Sequence, residues 1–176
     1  HGFENAQLII TSTSGARKLG RAIELQRQFL NKILILLDSD STGKQIKNSL
    51  MNEHIVDESE IRLIPALKRP HTSDVEIEDM LKPDFIASVL NEKFGNAFTT
   101  QDFEARNVKW STNFIRAAES SGIQEDAIDS AKEAISLAVE KRGIATLRDE
   151  YHDYIDRLTQ TLEGMLDTVN EEKALT

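Results

Sequence analysis

The first part of the chain alternates short apolar runs with helical patterns. Residues 8–11 form a β-branched run that predicts a strand, and the apolar positions Leu19, Ile23 and Leu30 predict a helix after it. Residues 33–37 are apolar without interruption, which is typical of a strand that is covered on both faces in a parallel sheet. These patterns predict a strand, a helix and a second strand.

The same alternation continues up to Pro65. Residues 43–51 have a helical pattern, and residues 61–65 predict a third strand that the proline ends. Strands that alternate with helices predict an α/β fold with a parallel sheet flanked by helices.

Beyond Pro83 the pattern is helical throughout. We predict helices over residues 84–94, 111–120, 125–142 and 144–167, separated by glycines. The last helix carries an apolar stripe from Ile144 to Met165 at three-and-four spacing, which favours core packing or helix pairing. We therefore expect an α/β domain over residues 1–83 and an all-helical region over residues 84–176.

Composition excludes several classes of protein. The 176 residues contain no cysteine, so disulfides, thiolate zinc sites, iron–sulfur clusters and a cysteine nucleophile are excluded. No apolar run approaches the ~18 residues that a membrane span needs, so we expect no membrane partner and a cytoplasmic location. The chain begins with His1 and has no signal-peptide pattern, so we expect a piece of a longer protein.

The charge is unevenly distributed. Residues 1–70 hold 10 basic and 8 acidic side chains, whereas residues 71–176 hold 11 and 22, and the whole chain has a net charge of -9. Because nonspecific nucleic-acid binding depends on neutralising phosphates with Lys and Arg, bulk electrostatics would not hold nucleic acid here. A nucleic-acid role would need metal ions or partner domains.

Two carboxylates follow the apolar run directly. Asp38 and Asp40 flank Ser39 at the expected carboxyl end of a parallel strand, where open α/β sheets bind ligands. Two carboxylates that face one cavity favour a hard divalent cation such as Mg²⁺, Mn²⁺ or Ca²⁺. The alternative is a solvated turn that caps the next helix.

A second acidic cluster occupies residues 74–79. If this segment is extended, Glu76 and Glu78 lie on one side of it. Together with the first pair they would then suit the spacing of a two-metal site for phosphodiester chemistry. The alternative is an acidic helix N-terminus, with Asp79 as either a cap or a ligand.

These motifs together resemble a Toprim domain, the metal-binding fold of topoisomerases, primases and several nucleases. The resemblance lies in Ser14-Gly15 before a helix, in Ile-Leu-Ile-Leu-Leu-Asp-Ser-Asp-Ser-Thr-Gly-Lys, and in Glu-Ile-Glu-Asp-Met-Leu. The later Lys-Trp-Ser at 109–111 and the helix that carries Lys132 resemble the C-terminal half of overcoming-lysogenization-defect (OLD) nucleases. Those proteins are ATP-linked DNA endonucleases, often in phage defence, with an ABC-type ATPase domain ahead of the Toprim domain.

The resemblance implies a role for each matching position. Asp38 and Asp40 would be metal ligands and catalytic residues, and Glu76 and Glu78 would complete a second metal position. Lys132 would lie near the scissile phosphate and offset charge in the transition state. The alternative for Lys132 is a surface lysine whose stem covers an apolar stripe.

The remaining implications concern the edge of the site and the partners. Ser14 and Gly15 would line the site, which would hold one or two Mg²⁺ or Mn²⁺ ions. DNA would be the substrate, ATP would act only through an upstream ATPase domain, and the helices would form a homo-oligomer. The glutamate that ends the first Toprim strand has no match in this chain, so the first strand of the domain is expected to be missing and the isolated chain to be of low activity.

Two other interpretations stay open. Residues 33–42 also fit the Asp-x-Asp-x-Thr motif of haloacid-dehalogenase-like phosphatases, with Asp38 as nucleophile and Asp40 as acid/base. A complete strand and helix precede the motif, which is unusual for that family. The other interpretation is a noncatalytic assembly module that pairs through the stripe between Ile144 and Met165.

Overall fold

The fold is mixed α/β, and helices dominate it. The computed structural model describes residues 16–28, 32–67, 74–95, 97–105 and 107–174. Its regular elements are α1 (Ala16–Gln26), β1 (Ile35–Leu37), α2 (Ser41–Asn52), β2 (Ile61–Leu63), α3 (Pro83–Phe94), α4 (Trp110–Ser120), α5 (Ile128–Arg142) and α6 (His152–Ala174). Among the described residues, no helix is both long and apolar enough to cross a bilayer.

The parallel arrangement of the predicted strands is confirmed for two of them. β1 pairs with β2 in parallel, with Ile35 opposite Ile61 and Leu37 opposite Leu63, and α2 lies between the two strands in the chain. Both strands are shorter than predicted. The strand predicted over residues 8–11 lies outside the described residues, as do Ser14, Gly15 and Leu30.

Packing divides the chain into two compact units. One unit contains the two strands, α1, most of α2 and the chain from Asp153 onwards, and the other contains Asp38–Ser41 and Ile64–His152. In the first unit a core forms from α1, α2 and both strands; its buried members are Ile23, Ile35, Leu50, Val56 and Ile61. The division into domains at residues 83 and 84 stays a prediction.

An aromatic cluster forms part of the core of the second unit. Trp110 stacks on Phe114 with ring centroids 5.4 Å apart, and Phe114 stacks on Phe98 at 5.7 Å. The Asn91 side chain accepts a hydrogen bond from the Phe98 amide at 2.9 Å and donates one to its carbonyl at 2.8 Å, which fixes the loop after α3. Because Trp110 is the first residue of α4, this cluster fixes where that helix begins.

The helix predicted over residues 144–167 is wrong in its first two turns. Gly143 has a φ of 62°, which ends α5, and the chain then makes two short 3₁₀ turns before α6 begins at His152. Backbone hydrogen bonds explain the break, since the Arg148 amide donates to the Met80 carbonyl at 2.8 Å and Leu147 bridges to Leu81. The predicted stripe is interrupted, because Ile144 is exposed and Tyr151 is buried.

Arg148 stabilises this non-helical segment through its side chain. Its Nε donates to the Leu81 carbonyl at 2.9 Å and its Nη2 donates to the Phe103 carbonyl at 3.0 Å, and the residue is buried. A buried carbonyl that loses its donor retains the cost of its desolvation. The guanidinium therefore joins three segments of the second unit.

We expect Arg148→Met to lower the free energy of unfolding by about 3 kcal/mol, because it leaves two buried carbonyl oxygens without their charged donor. Chemical denaturation at neutral pH measures this change. Arg116→Met, which removes an exposed guanidinium from α4, is the matched control and should change stability by less than about 0.5 kcal/mol. Equal losses in the two variants would contradict the role given to Arg148.

Candidate functional site

The two acidic segments of the sequence lie side by side. Asp38 is the first residue after β1, and its Oδ1 accepts a hydrogen bond from the Ile77 amide at 2.9 Å. The Ser39 amide donates to the Val75 carbonyl, also at 2.9 Å. Two hydrogen bonds thus hold the turn at residues 38–40 against a segment almost 40 positions later in the chain.

The second acidic segment is a 3₁₀ turn rather than the extended segment expected from its alternation. The turn covers Ile77–Met80, and the Asp79 carboxylate caps it by accepting from the Glu76 amide at 2.9 Å. Glu76 precedes the turn with extended backbone angles. Both Glu76 and Glu78 are nevertheless buried, while Ile77 between them is 52% exposed.

Glu76 is held at the N-terminus of α4. Its Oε2 accepts from the Ser111 amide at 2.7 Å, and its Oε1 accepts from the Ser111 hydroxyl at 2.9 Å. The first amides of a helix have no partners within the helix, and the helix dipole favours an anion at this end. The carboxylate therefore has firm protein partners of its own.

Lys109 connects the two acidic segments. Its Nζ lies 3.0 Å from Asp40 Oδ2 and 3.1 Å from Glu76 Oε1. Partial burial lowers the pKa of Lys109, but the hydrogen bond that it donates to Asp40 and the charge of Glu76 outweigh this effect, so the pKa is raised overall. An ammonium thus stands between carboxylates from different parts of the chain.

Lys132 reaches the same group of carboxylates from α5. Its Nζ lies 3.3 Å from Glu78 Oε1 and 5.5 Å from the centroid of the Trp110 ring, which is a cation–π contact. Lys132 thus lies beside an acidic residue, and its place near a scissile phosphate stays a prediction. About a third of its side chain is exposed, so the ammonium remains accessible from solvent.

Burial disfavours the charged forms of Asp38 and Glu78. Desolvation raises the pKa of Asp38, the Ile77 amide and Lys132 oppose the rise, and the charges of Glu76 and Asp40 add to it. Desolvation likewise raises the pKa of Glu78 against the opposing charge of Lys132. The Asp38 Oδ2 atom has no hydrogen bond within the part of the chain that the structure describes.

The donor chemistry of this site fits a hard divalent cation, because carboxylate oxygens are the ligands that Mg²⁺ and Mn²⁺ prefer. Among the described residues, these four carboxylates and the two lysines sum to a formal charge of −2, which one such ion would neutralise. Within the described ranges, however, no three acidic or histidine side chains converge in positions that hold a metal. Lys109 and Lys132 instead lie on oxygens of Asp40, Glu76 and Glu78.

The sequence pattern, with its family resemblance, predicted that four carboxylates and Lys132 lie together, and the structure brings all five to one site. It gave no individual role to Lys109 or Ser111, whose only signal was the Lys-Trp-Ser triplet before a helix. Ser14 and Gly15 lie outside the described residues. No family model, curated protein or solved structure matches this chain.

The raised pKa of Asp38 predicts a pH-dependent effect of Asp38→Asn. The folded state binds the Asp38 proton more tightly than the unfolded state does, so protonated Asp38 stabilises the fold. This contribution is lost as the pH rises from 3.8, the ordinary Asp pKa, through the raised pKa of Asp38 in the folded protein. Asparagine stays neutral and keeps an oxygen that accepts from the Ile77 amide. We expect a higher melting temperature than that of the parent protein at pH 7, with the difference shrinking as pH falls toward 3.8.

Thermal unfolding of both proteins across that pH range measures the difference. Asp156→Asn, at an exposed position of α6, removes the same charge without burial and should show no comparable gain at pH 7. A destabilised Asp38→Asn protein at pH 7 would mean that the carboxylate stabilises the fold rather than straining it.

Proposed function

We propose that this chain is the nuclease module of a Toprim-like, OLD-like enzyme that hydrolyses DNA phosphodiester bonds with Mg²⁺ or Mn²⁺. One observation carries the proposal: Asp38, Asp40, Glu76 and Glu78 come from two distant segments and meet, together with Lys132, at one site. Asp38 follows a parallel strand directly in the chain, as the resemblance requires.

The energetics of the site favour a functional role for its carboxylates over a purely structural one. Burying carboxylates near one another costs free energy, and the raised pKa values of Asp38 and Glu78 show the direction of that cost. Groups that are perturbed in this way cluster at functional sites. A site built only for stability would have no need for two surplus negative charges.

Each side chain has a distinct part in the proposed chemistry. Asp38, Asp40 and Glu78 would hold the cation, and Glu76 would join them where Lys109 releases it. A bound Mg²⁺ or Mn²⁺ would act as a Lewis acid toward the phosphate and lower the pKa of a bound water. Lys132 would donate from its accessible ammonium to a phosphate oxygen and so stabilise negative charge that develops during cleavage.

DNA binding would depend on this local chemistry rather than on bulk charge. The net charge of -9 repels a polyanion, so phosphate contacts would rely on the cation and on Lys132. An upstream ABC-type ATPase domain and a homo-oligomer, both implied by the resemblance, would supply the remaining DNA contacts.

The phosphatase and assembly alternatives have less support. In a haloacid-dehalogenase-like mechanism Asp40 would exchange a proton with the leaving group, but Asp40 lies against the Lys109 ammonium. The assembly alternative relied on one stripe from Ile144 to Met165, and the two 3₁₀ turns interrupt that stripe. A beryllium fluoride complex on Asp38 would favour the phosphatase over the nuclease.

Replacing both Asp38 and Asp40 by alanine should remove Mn²⁺ binding and lower Mn²⁺-dependent plasmid cleavage by at least about 100-fold, because it removes half of the carboxylate ligands. Calorimetric titration and a plasmid assay on the same samples measure the two effects. Folding should persist, because the change also relieves repulsion among carboxylates.

The matched control replaces two exposed carboxylates of α6, Asp156 and Asp167, by alanine and should retain both properties. Cleavage that survives in the Asp38 and Asp40 variant would refute the site. Loss of Mn²⁺ binding in that variant alone would support the metal centre even where the chain cuts slowly, since the glutamate of the first Toprim strand has no match in it.

A further inference from the structure

Lys109 lies where a cation shared by two carboxylates would bind. Its ammonium contacts Asp40 Oδ2 at 3.0 Å and Glu76 Oε1 at 3.1 Å, and it thereby bridges the two acidic segments. Lys132, in contrast, contacts a single carboxylate among the described residues, that of Glu78. A divalent ion that bound Asp40 Oδ2 and Glu76 Oε1 would need the oxygens on which Lys109 lies.

We propose that Lys109 is the internal counter-cation of this site and that it competes with the divalent ion for Asp40 and Glu76. The inference rests on the proposed function and adds a regulatory residue to it. In the metal-free protein the ammonium neutralises the two carboxylates. Coordination of the ion by both Asp40 and Glu76 then requires Lys109 to leave, so the lysine lowers the metal affinity.

The surrounding contacts allow such an exchange without collapse of the site. Glu76 keeps both hydrogen bonds from Ser111 when Lys109 leaves, so its carboxylate stays at the N-terminus of α4. The turn that carries Asp40 is held independently by the bond from the Ser39 amide to the Val75 carbonyl. The carboxylates are therefore positioned by the backbone, and the lysine is not needed to hold them there.

Lys109 itself has a route out of the site. About a third of its side chain is exposed, whereas the side chains of Asp40 and Glu76 are 11% and 7% exposed. A lysine stem is flexible and its ammonium is strongly hydrated, so the head group can move into water without breaking the fold. The exchange replaces one positive charge by two at a site with a surplus of negative charge.

The test compares Lys109→Gln and Lys109→Arg in the whole chain by Mn²⁺ calorimetry and by thermal unfolding with and without Mn²⁺. Removing the competing charge should tighten Mn²⁺ binding about tenfold. Lys109→Gln should also melt at a lower temperature without metal and gain more from Mn²⁺ than the parent protein does. Lys109→Arg should bind Mn²⁺ more weakly than the parent, because a guanidinium holds two carboxylates more firmly.

The matched control is Lys93→Gln, which removes an exposed ammonium from α3 and should leave Mn²⁺ affinity unchanged. Equal Mn²⁺ affinity in Lys109→Gln and the parent protein would overturn the inference and leave the proposed function standing. Weaker binding in Lys109→Gln would also overturn it, because the lysine would then help to assemble the site.

Absence of Mn²⁺ binding in the parent and in both Lys109 variants would overturn the inference and the proposed function together. Should Lys109→Gln fail to fold, the comparison of Lys109→Arg with the parent decides the question alone.

Discussion

The site depends on the carboxylate of Glu76 at the N-terminus of α4. That helix begins with amides that need an acceptor, and Ser111 directs its backbone and its hydroxyl at the same side chain. Because Trp110 is buried in the aromatic cluster, the start of α4 cannot shift without breaking the core. Glu76 is therefore fixed, and the 3₁₀ turn that follows it places Glu78 within reach of Lys132.

Given that constraint, charge decides the remaining contacts. The hydrogen bonds of Ser39 and Ile77 hold the first acidic turn beside the second, so four carboxylates share one region. Lys109, which precedes α4, and Lys132 of α5 offset part of this charge. Desolvation by burial raises the pKa values of Asp38 and Glu78, and the charges of neighbouring carboxylates add to the rise, so a divalent ion would stabilise the arrangement.

The sequence pattern predicted the features that depend on local periodicity and on strand ends. The parallel pairing of β1 with β2 and the positions of α3 and α4 follow from apolar spacing, and the structure has them close to the predicted residues. The grouping of Asp38 with Glu76 and Glu78 followed from their expected places after strands. The Toprim and OLD resemblance itself stays a prediction.

The features that were missed depend on tertiary contacts. A helical pattern runs through residues 144–151, but hydrogen bonds from Arg148 to Leu81 and Phe103 outweigh local propensity there. The alternation in residues 74–78 suggested an extended segment, whereas the Asp79 cap closes a 3₁₀ turn. Lys109 gave no signal of its own, since a lysine before a helix is common and only the fold shows its two carboxylate partners.

The acidity of the chain and the chemistry proposed for it are connected. An acidic protein repels DNA phosphates as long as its phosphate-facing site is negative, and a buried surplus of carboxylate loses that charge by taking up a cation. Metal binding would then both complete the catalytic group and remove the repulsion that opposes substrate. Lys109 and Lys132 offset only part of the carboxylate charge, so without metal the site would stay negative and would disfavour DNA until a cation is bound.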